Sequence, residues 1–89
     1  MTAPTTLGRA SFLESPNGER LFRVNAGASI SDALETVSLL QYYANQLTLE
    51  AALNDGSERF SWPAFYLGEM AKALLDDVSD SMFAARAEP

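Results

Sequence analysis

The chain has 89 residues, with no cysteine and no histidine, and its 12 acidic and 6 basic residues give a formal net charge of −6. This length suits one domain with a modest core; disulfide bonds are excluded, and a zinc site lacks its usual Cys and His ligands. The acidic balance also disfavours direct nucleic-acid binding, because a negative surface repels phosphate.

The N-terminal region predicts little regular structure. Residues 1–9 carry no apolar period and are expected to form a flexible tail before a single domain over residues 10–85. The first residues lack the basic start and long apolar run of a secretory signal, and no stretch reaches the ~20 apolar residues of a membrane span. We therefore expect a cytoplasmic protein without membrane association.

A β-hairpin is predicted over about residues 11–24. Two short apolar runs flank the letters SPNG at 15–18, and Pro, Asn and Gly are the residues that tight turns require. An ordered loop with one strand at 21–24 is the alternative. An isolated hairpin is marginal in water, so we expect it to pack on helices or on another chain.

The first long helix is predicted over about residues 30–54. Ser29 can cap it by accepting a hydrogen bond from the backbone N–H of Asp32, and the letters NDG at 54–56 form a stop signal.

The second helix is predicted over about residues 62–84. It is expected to start at Ser61, with Pro63 in the first turn, where a missing N–H is tolerated. Its apolar residues form one stripe, so one face has to be buried. The short connection favours antiparallel packing of this stripe on the first helix.

The first helix carries two apolar seams, each with alternating spacings of three and four residues. The first seam consists of Ile30, Ala33, Val37, Leu40, Ala44, Leu47 and Ala51. We expect it to pack on the second helix. The predicted intramolecular core contains Ile30, Val37, Leu40, Leu47, Leu67, Met70, Leu74 and Val78.

The second seam consists of Leu39, Tyr42, Gln46, Leu49 and Leu53. Two helices cannot cover two seams, so either the hairpin or a second copy of the chain must cover this one. The second copy is favoured, because a polar residue in the middle of a seam can meet its symmetry mate and fix the register. The fold is therefore predicted as mainly α, with two long antiparallel helices that pair into a dimeric four-helix bundle.

The sequence offers few groups for chemistry. Without histidine or cysteine it lacks the commonest general base and the thiol nucleophile, and Lys72 is the only lysine. Asp76, Asp77 and Asp80 fall on the polar side of the second helix, where acidic residues are ordinarily solvated. We predict no catalytic residues, no metal site and no cofactor.

Three stretches, LFRVNAG (21–27), DALETVSLL (32–40) and YLGEMAKALLDD (66–77), occur in this order over most of the chain. In that order they resemble a family of short bacterial proteins, typical of pseudomonads and known as a domain of unknown function. The resemblance implies a stand-alone cytoplasmic protein without a recognised activity or cofactor.

The leading functional hypothesis is a non-enzymatic accessory protein that dimerises through the second seam and binds another protein, with regulation of that protein as one form of this role. One alternative is an acidic mimic of nucleic acid that masks a basic partner, as an antitoxin does. It depends on the absence of basic residues between Arg23 and Arg59. Another alternative is a small-ligand carrier with Met70, Tyr42 and Tyr43 around a cavity.

Overall fold

The computed structural model describes residues 3–87, which form two strands followed by two helices. Strand β1 spans Ser11–Glu14, strand β2 spans Arg20–Arg23, helix α1 spans Ile30–Leu53 and helix α2 spans Glu58–Ala87. The strands pair as an antiparallel hairpin, and α1 packs along α2. The prediction of a mainly helical fold, with two long helices preceded by a short β-hairpin, is confirmed.

The hairpin closes through a tight turn. Ser15 donates its backbone N–H to the carbonyl of Glu19 at 2.7 Å, and Gly18 donates to the carbonyl of Ser15 at 2.9 Å. Gly18 has a φ of +83°, which glycine adopts without strain. Across the strands, the rings of Phe12 and Phe22 stack with centroids 5.3 Å apart. The alternative of a loop with only one strand is therefore wrong.

Helix α1 begins after its predicted cap. The side-chain oxygen of Ser29 accepts from the backbone N–H of Asp32 at 3.1 Å, which satisfies one of the free donors of the first turn. The buried and half-buried residues of α1 are those of the first seam: Ile30, Ala33, Val37, Leu40, Ala44, Leu47 and Ala51. Helix α1 thus uses the first seam to pack on α2.

Helix α2 begins at Glu58 rather than at the predicted Ser61. The carbonyl of Ser57 accepts from the backbone N–H of Ser61 at 2.9 Å, so the first turn closes before Pro63. Pro63 therefore lies inside the helix, and its predicted place in the first turn is wrong. The carbonyl of Arg59 loses its helical donor, because proline has no N–H; Arg59 is exposed, and water can supply the donor.

Helix α2 buries two faces instead of the one predicted. The face toward α1 contains Phe60, Ala64, Leu67, Ala71, Leu74 and Val78, all buried or half-buried. The other face lies about 90° round the helix. It contains Ala73, Asp77, Ser81 and Ala84, also buried or half-buried.

Residues 5–10, which we name the N-terminal strap, cover this second face. The hydroxyl of Ser81 donates to the carbonyl of Thr5, and further strap residues bind Asp77. The prediction of a flexible tail over residues 1–9 is thus wrong for residues 5–9, because the backbone N–H groups of Leu7, Gly8 and Arg9 are bound by Asp77 of α2 and that of Thr6 by Ala28. Residues 1 and 2 of that predicted tail lie outside the described part of the chain.

Thr6 joins the strap to the connection between β2 and α1. Its side chain is buried, and its hydroxyl donates to the carbonyl of Asn25 at 2.7 Å and accepts from the N–H of Ala28 at 2.9 Å. Its backbone N–H also donates to the carbonyl of Ala28 at 2.9 Å, and its carbonyl accepts from Gly27 at 2.8 Å. The strap is therefore fixed on two sides, by this connection and by α2.

Candidate functional site: an exposed apolar surface

The second seam of α1 is open to solvent. Its four large apolar side chains are between 53% and 71% exposed, and Gln46 is exposed as well. At 100° per residue, the seam lies on the side of α1 roughly opposite to the first seam and hence to α2. The members of the seam are Leu39, Tyr42, Gln46, Leu49 and Leu53.

The hairpin does not cover the second seam. The hairpin lies on α2, which β1 contacts, and the strap also runs along α2. Leu53, at 71% exposed, is among the most exposed large apolar side chains of the described chain. The explanation in which the hairpin buries this seam within one chain is therefore wrong.

Tyr42 and Tyr43 form an edge-to-face pair on the surface of α1. Their ring centroids are 5.2 Å apart, and each side chain is more than half exposed. Such exposure does not fit residues that enclose a ligand together with Met70. The structure therefore gives no support to a cavity built around these three residues.

A second exposed group of aromatic side chains lies near the start of α2. Trp62 contacts Phe65 and Tyr66 at centroid distances of 6.0 and 6.1 Å, and all three are substantially exposed. Sequence reasoning missed this cluster, although the letters FSWPAFY at 60–66 contain four aromatic residues. Aromatic side chains in such exposed clusters are typical of the centres of protein interfaces.

The predicted core residues of α2 lie on its inner faces. Val78 is buried, and Leu67, Met70 and Leu74 are half-buried. Leu75 and Met82, which belong to the same stripe in the sequence, are both exposed. Apolar surface therefore remains on α2 as well as on α1.

The side chain of Asp77 is fully buried and binds the strap. Its Oδ2 accepts from the backbone N–H groups of Leu7 at 2.6 Å and Gly8 at 3.2 Å, and its Oδ1 accepts from Arg9 at 2.7 Å and Ala10 at 2.8 Å. The four N–H groups can converge because Gly8 has a φ of +76°. We call this arrangement the Asp77 clamp. The prediction that Asp77 lies on the solvated side of α2 is wrong.

The charge of Asp77 is stabilised by these amides. Burial alone would raise the pKa of this carboxyl, but the hydrogen bonds from Ala10, Arg9, Leu7 and Gly8 together hold its pKa below the ordinary value. Both oxygens are occupied and shielded from water. The carboxylate is therefore a structural anion, with no free position for a substrate or a metal ion.

Other acidic groups are separate from Asp77. Asp76 is exposed and pairs with Lys72 at 2.7 Å. Over residues 3–87, no group of three or more His, Cys, Asp or Glu side chains is placed to hold a metal ion.

The acidic residues between Arg23 and Arg59 do not form one continuous helix face. Asp32 and Glu35 lie in the first turns of α1, whereas Glu50 lies near its C-terminal end. They are about 22 Å apart along the helix at 1.5 Å per residue. Neither helix, over the residues described, carries an apolar stretch of the length and hydropathy that crossing a membrane demands.

These features define a small helical-hairpin protein with an appended β-hairpin, a strap held by a buried carboxylate and an exposed apolar seam. The chain belongs to the family described as "Protein of unknown function (DUF3077)", whose family model matches residues 6–81. The matched range begins at Thr6 in the strap and ends at Ser81, which contacts the strap. Comparison with curated proteins and with solved structures gives no match.

Proposed function

We propose that this chain is a non-enzymatic, cytoplasmic accessory protein that forms a homodimer through the second seam of α1 and binds another protein. The observation that carries the proposal is the exposure of Leu39, Leu49 and Leu53, each more than half accessible in the single chain. Full burial of a Leu side chain contributes about 1.5–3 kcal/mol. Covering the exposed half of each therefore contributes about 1 kcal/mol per residue and per copy.

A second copy fits this surface because α1 carries no charge between Glu35 and Glu50. Two neutral faces approach without the repulsion that two acidic faces would suffer. The seam is also nearly symmetric about its centre. A two-fold axis beside Gln46 places Leu39 against Leu53 of the mate and Tyr42 against Leu49, with the two Gln46 side chains together.

This dimer differs in shape from a square four-helix bundle. Because the second seam lies roughly opposite to α2, pairing through it places the two α1 helices in the centre and an α2 helix on each outer side. The four helices would then lie in a row. The aromatic cluster of Trp62, Phe65 and Tyr66 stays exposed in this arrangement and is available to a partner protein.

The first experiment measures the mass of the protein by sedimentation equilibrium at micromolar concentration. We expect a two-chain mass for the wild type and a one-chain mass for Leu49→Glu, because two unpaired charges would be buried in the interface at several kcal/mol each. Helicity should persist in the variant, since the first seam is untouched. Gln41→Glu is the matched control, because it adds the same charge on an exposed position outside the seam. A one-chain mass for the wild type refutes the dimer.

A second experiment tests the symmetry. The chain has no cysteine, so Gln46→Cys introduces a single thiol and allows only the crosslink between two copies. We expect rapid disulfide formation for Gln46→Cys and none for Gln41→Cys.

Partner binding is tested by affinity capture with the wild type, Leu49→Glu and Trp62→Ala. The absence of any stoichiometric protein bound to the wild type counts against a partner, and cell fractionation tests the cytoplasmic location.

A further inference from the structure

Strand β2 is exposed on both of its faces. Within residues 3–87 the sheet has two strands, and it is β1 that contacts α2, so β2 forms the outer edge. Leu21 and Phe22 point to opposite faces, yet they are 59% and 52% exposed. A strand normally buries at least one face, whereas within residues 3–87 the large apolar side chains on both faces of this strand are more than half exposed.

The outer edge of β2 also offers free backbone groups. Val24 donates its N–H to the carbonyl of Ala10 at 2.9 Å, and Phe22 pairs with Phe12. In an antiparallel pair the residues between these positions direct their N–H and C=O groups the other way. Arg23 lies between them and therefore presents its N–H and C=O to solvent, which is the geometry that accepts an additional strand.

The same edge concentrates positive charge in an otherwise acidic protein. A shallow cleft of about 410 Å³ is lined by Arg9, Arg20 and Arg23 together with Ser11, Leu21 and Phe22. These are three of the six basic residues of a chain with a net charge of −6. Arg20 is held by Ser11 and by Glu14, whereas the guanidinium groups of Arg9 and Arg23 make no ion pair or hydrogen bond within residues 3–87.

We propose that the free edge of β2 binds an extended acidic segment of a partner protein as a third strand, with its carboxylates against Arg9, Arg20 and Arg23. The backbone N–H and C=O of Arg23 supply the ladder hydrogen bonds, and the guanidinium groups select for acidic side chains. The β2 site rests on the proposed function in one respect, namely that the chain binds another protein, and it specifies the chemistry of that partner. The site does not depend on the homodimer.

A second copy of the chain does not fit this edge. Pairing two β2 strands would bring Arg20 and Arg23 of both copies, four positive charges, along one four-residue ladder. Like charges that lie close together on a strand pair destabilise it. The two arginines thus disfavour self-association by β2 and favour a segment of opposite charge.

The test is an NMR titration of the ¹⁵N-labelled full chain with the acetylated, amidated peptide Glu-Val-Glu-Val-Glu. The neutral peptide Gln-Val-Gln-Val-Gln is the control ligand. We expect shifts confined to Arg9 and residues 20–23, slower hydrogen exchange at the amide of Arg23, and at least tenfold weaker binding of the neutral peptide. Raising the salt concentration from 50 to 500 mM should weaken binding of the acidic peptide about tenfold.

Matched variants locate the site. Arg23→Gln should weaken binding of the acidic peptide about fivefold or more, whereas Arg86→Gln, an exposed arginine on α2, should leave it unchanged. No binding at millimolar peptide, or equal binding of the neutral peptide, overturns the proposal. It is also overturned if inorganic phosphate or a single-stranded oligonucleotide reproduces the same shifts and the same exchange protection.

The outcomes separate this proposal from the proposed function. A protein that has a two-chain mass but does not bind the acidic peptide retains the dimer and loses the β2 site. A Leu49→Glu monomer that binds the peptide like the wild type shows that the edge acts without the second seam.

Discussion

Replacing Asp77 by Asn should release the strap while leaving the shape of the side chain unchanged. In the wild type, four backbone N–H groups point at the two carboxylate oxygens over 2.6–3.2 Å. The amide side chain of Asn offers one oxygen and one NH₂ group, so two of the four donors would face another donor. The orientation of the side-chain amide in Asp77→Asn decides which pair of N–H groups loses its acceptor, that of Leu7 and Gly8 or that of Arg9 and Ala10.

The size of the effect follows from these bonds. A hydrogen bond to a charged group contributes about 1.5–3 kcal/mol, and two such bonds are lost. Removing the buried charge offsets part of this loss, and we expect the free energy of unfolding to fall by about 2–4 kcal/mol. A chain of this length has a total free energy of unfolding of about 4–13 kcal/mol, so the expected loss is a large fraction of the stability.

The measurement combines urea unfolding, followed by circular dichroism, with amide hydrogen exchange. We expect a lower midpoint for Asp77→Asn and loss of exchange protection at Leu7, Gly8, Arg9 and Ala10. Asp76→Asn is the control: it removes the neighbouring carboxylate, whose exposed pair with Lys72 contributes little. The clamp would be refuted if Asp77→Asn unfolded within 0.5 kcal/mol of the wild type, roughly the uncertainty of such a difference, and kept the strap amides protected.

Two further changes test the same region. The pKa of Asp77 is held below its ordinary value, so the clamp stabilises the fold above about pH 4 and loses this contribution as the pH falls through the folded-state pKa. The free energy of unfolding should therefore fall less steeply with acidification in Asp77→Asn than in the wild type. Gly8→Ala should destabilise the fold by about 2 kcal/mol or more, because φ is +76° and the new Cβ would lie 3.1 Å from Ala26. Gly27→Ala, with a similar φ of +89° and no atom within 4 Å, should cost only about 1 kcal/mol, and equal losses for the two variants would contradict a close approach at Gly8.

The two helices and the hairpin were predictable because their signals are local. Ser29 caps α1, the Asn-Asp-Gly stretch at 54–56 ends it, and the turn residues at 15–18 close the hairpin. The seams of α1 follow from spacing within one helix, so the sequence separates a face that packs on α2 from a face that does not. Whether a second chain covers the latter is a property of two molecules and stays a prediction.

The strap and the start of α2 were missed because their causes are not local. Asp77 finds its partners 67–70 residues earlier in the chain, and no periodic pattern connects such positions. A weak signal was present in the small residues Ala73, Ser81 and Ala84, which flank Asp77 at spacings of three and four. Pro63 was placed in a first turn by the usual preference of proline, although Ser57 begins the helix earlier.

The Asp77 clamp also sets an order for folding during synthesis. The ribosome delivers the strap amides first and the carboxylate that binds them about 70 residues later, which at 5–20 residues per second is a delay of several seconds. Until Asp77 is synthesised, the strap lacks the anion that binds its backbone N–H groups. The strap can therefore dock on α2 only after the C-terminal part of α2 has been made, although the strap itself is synthesised first.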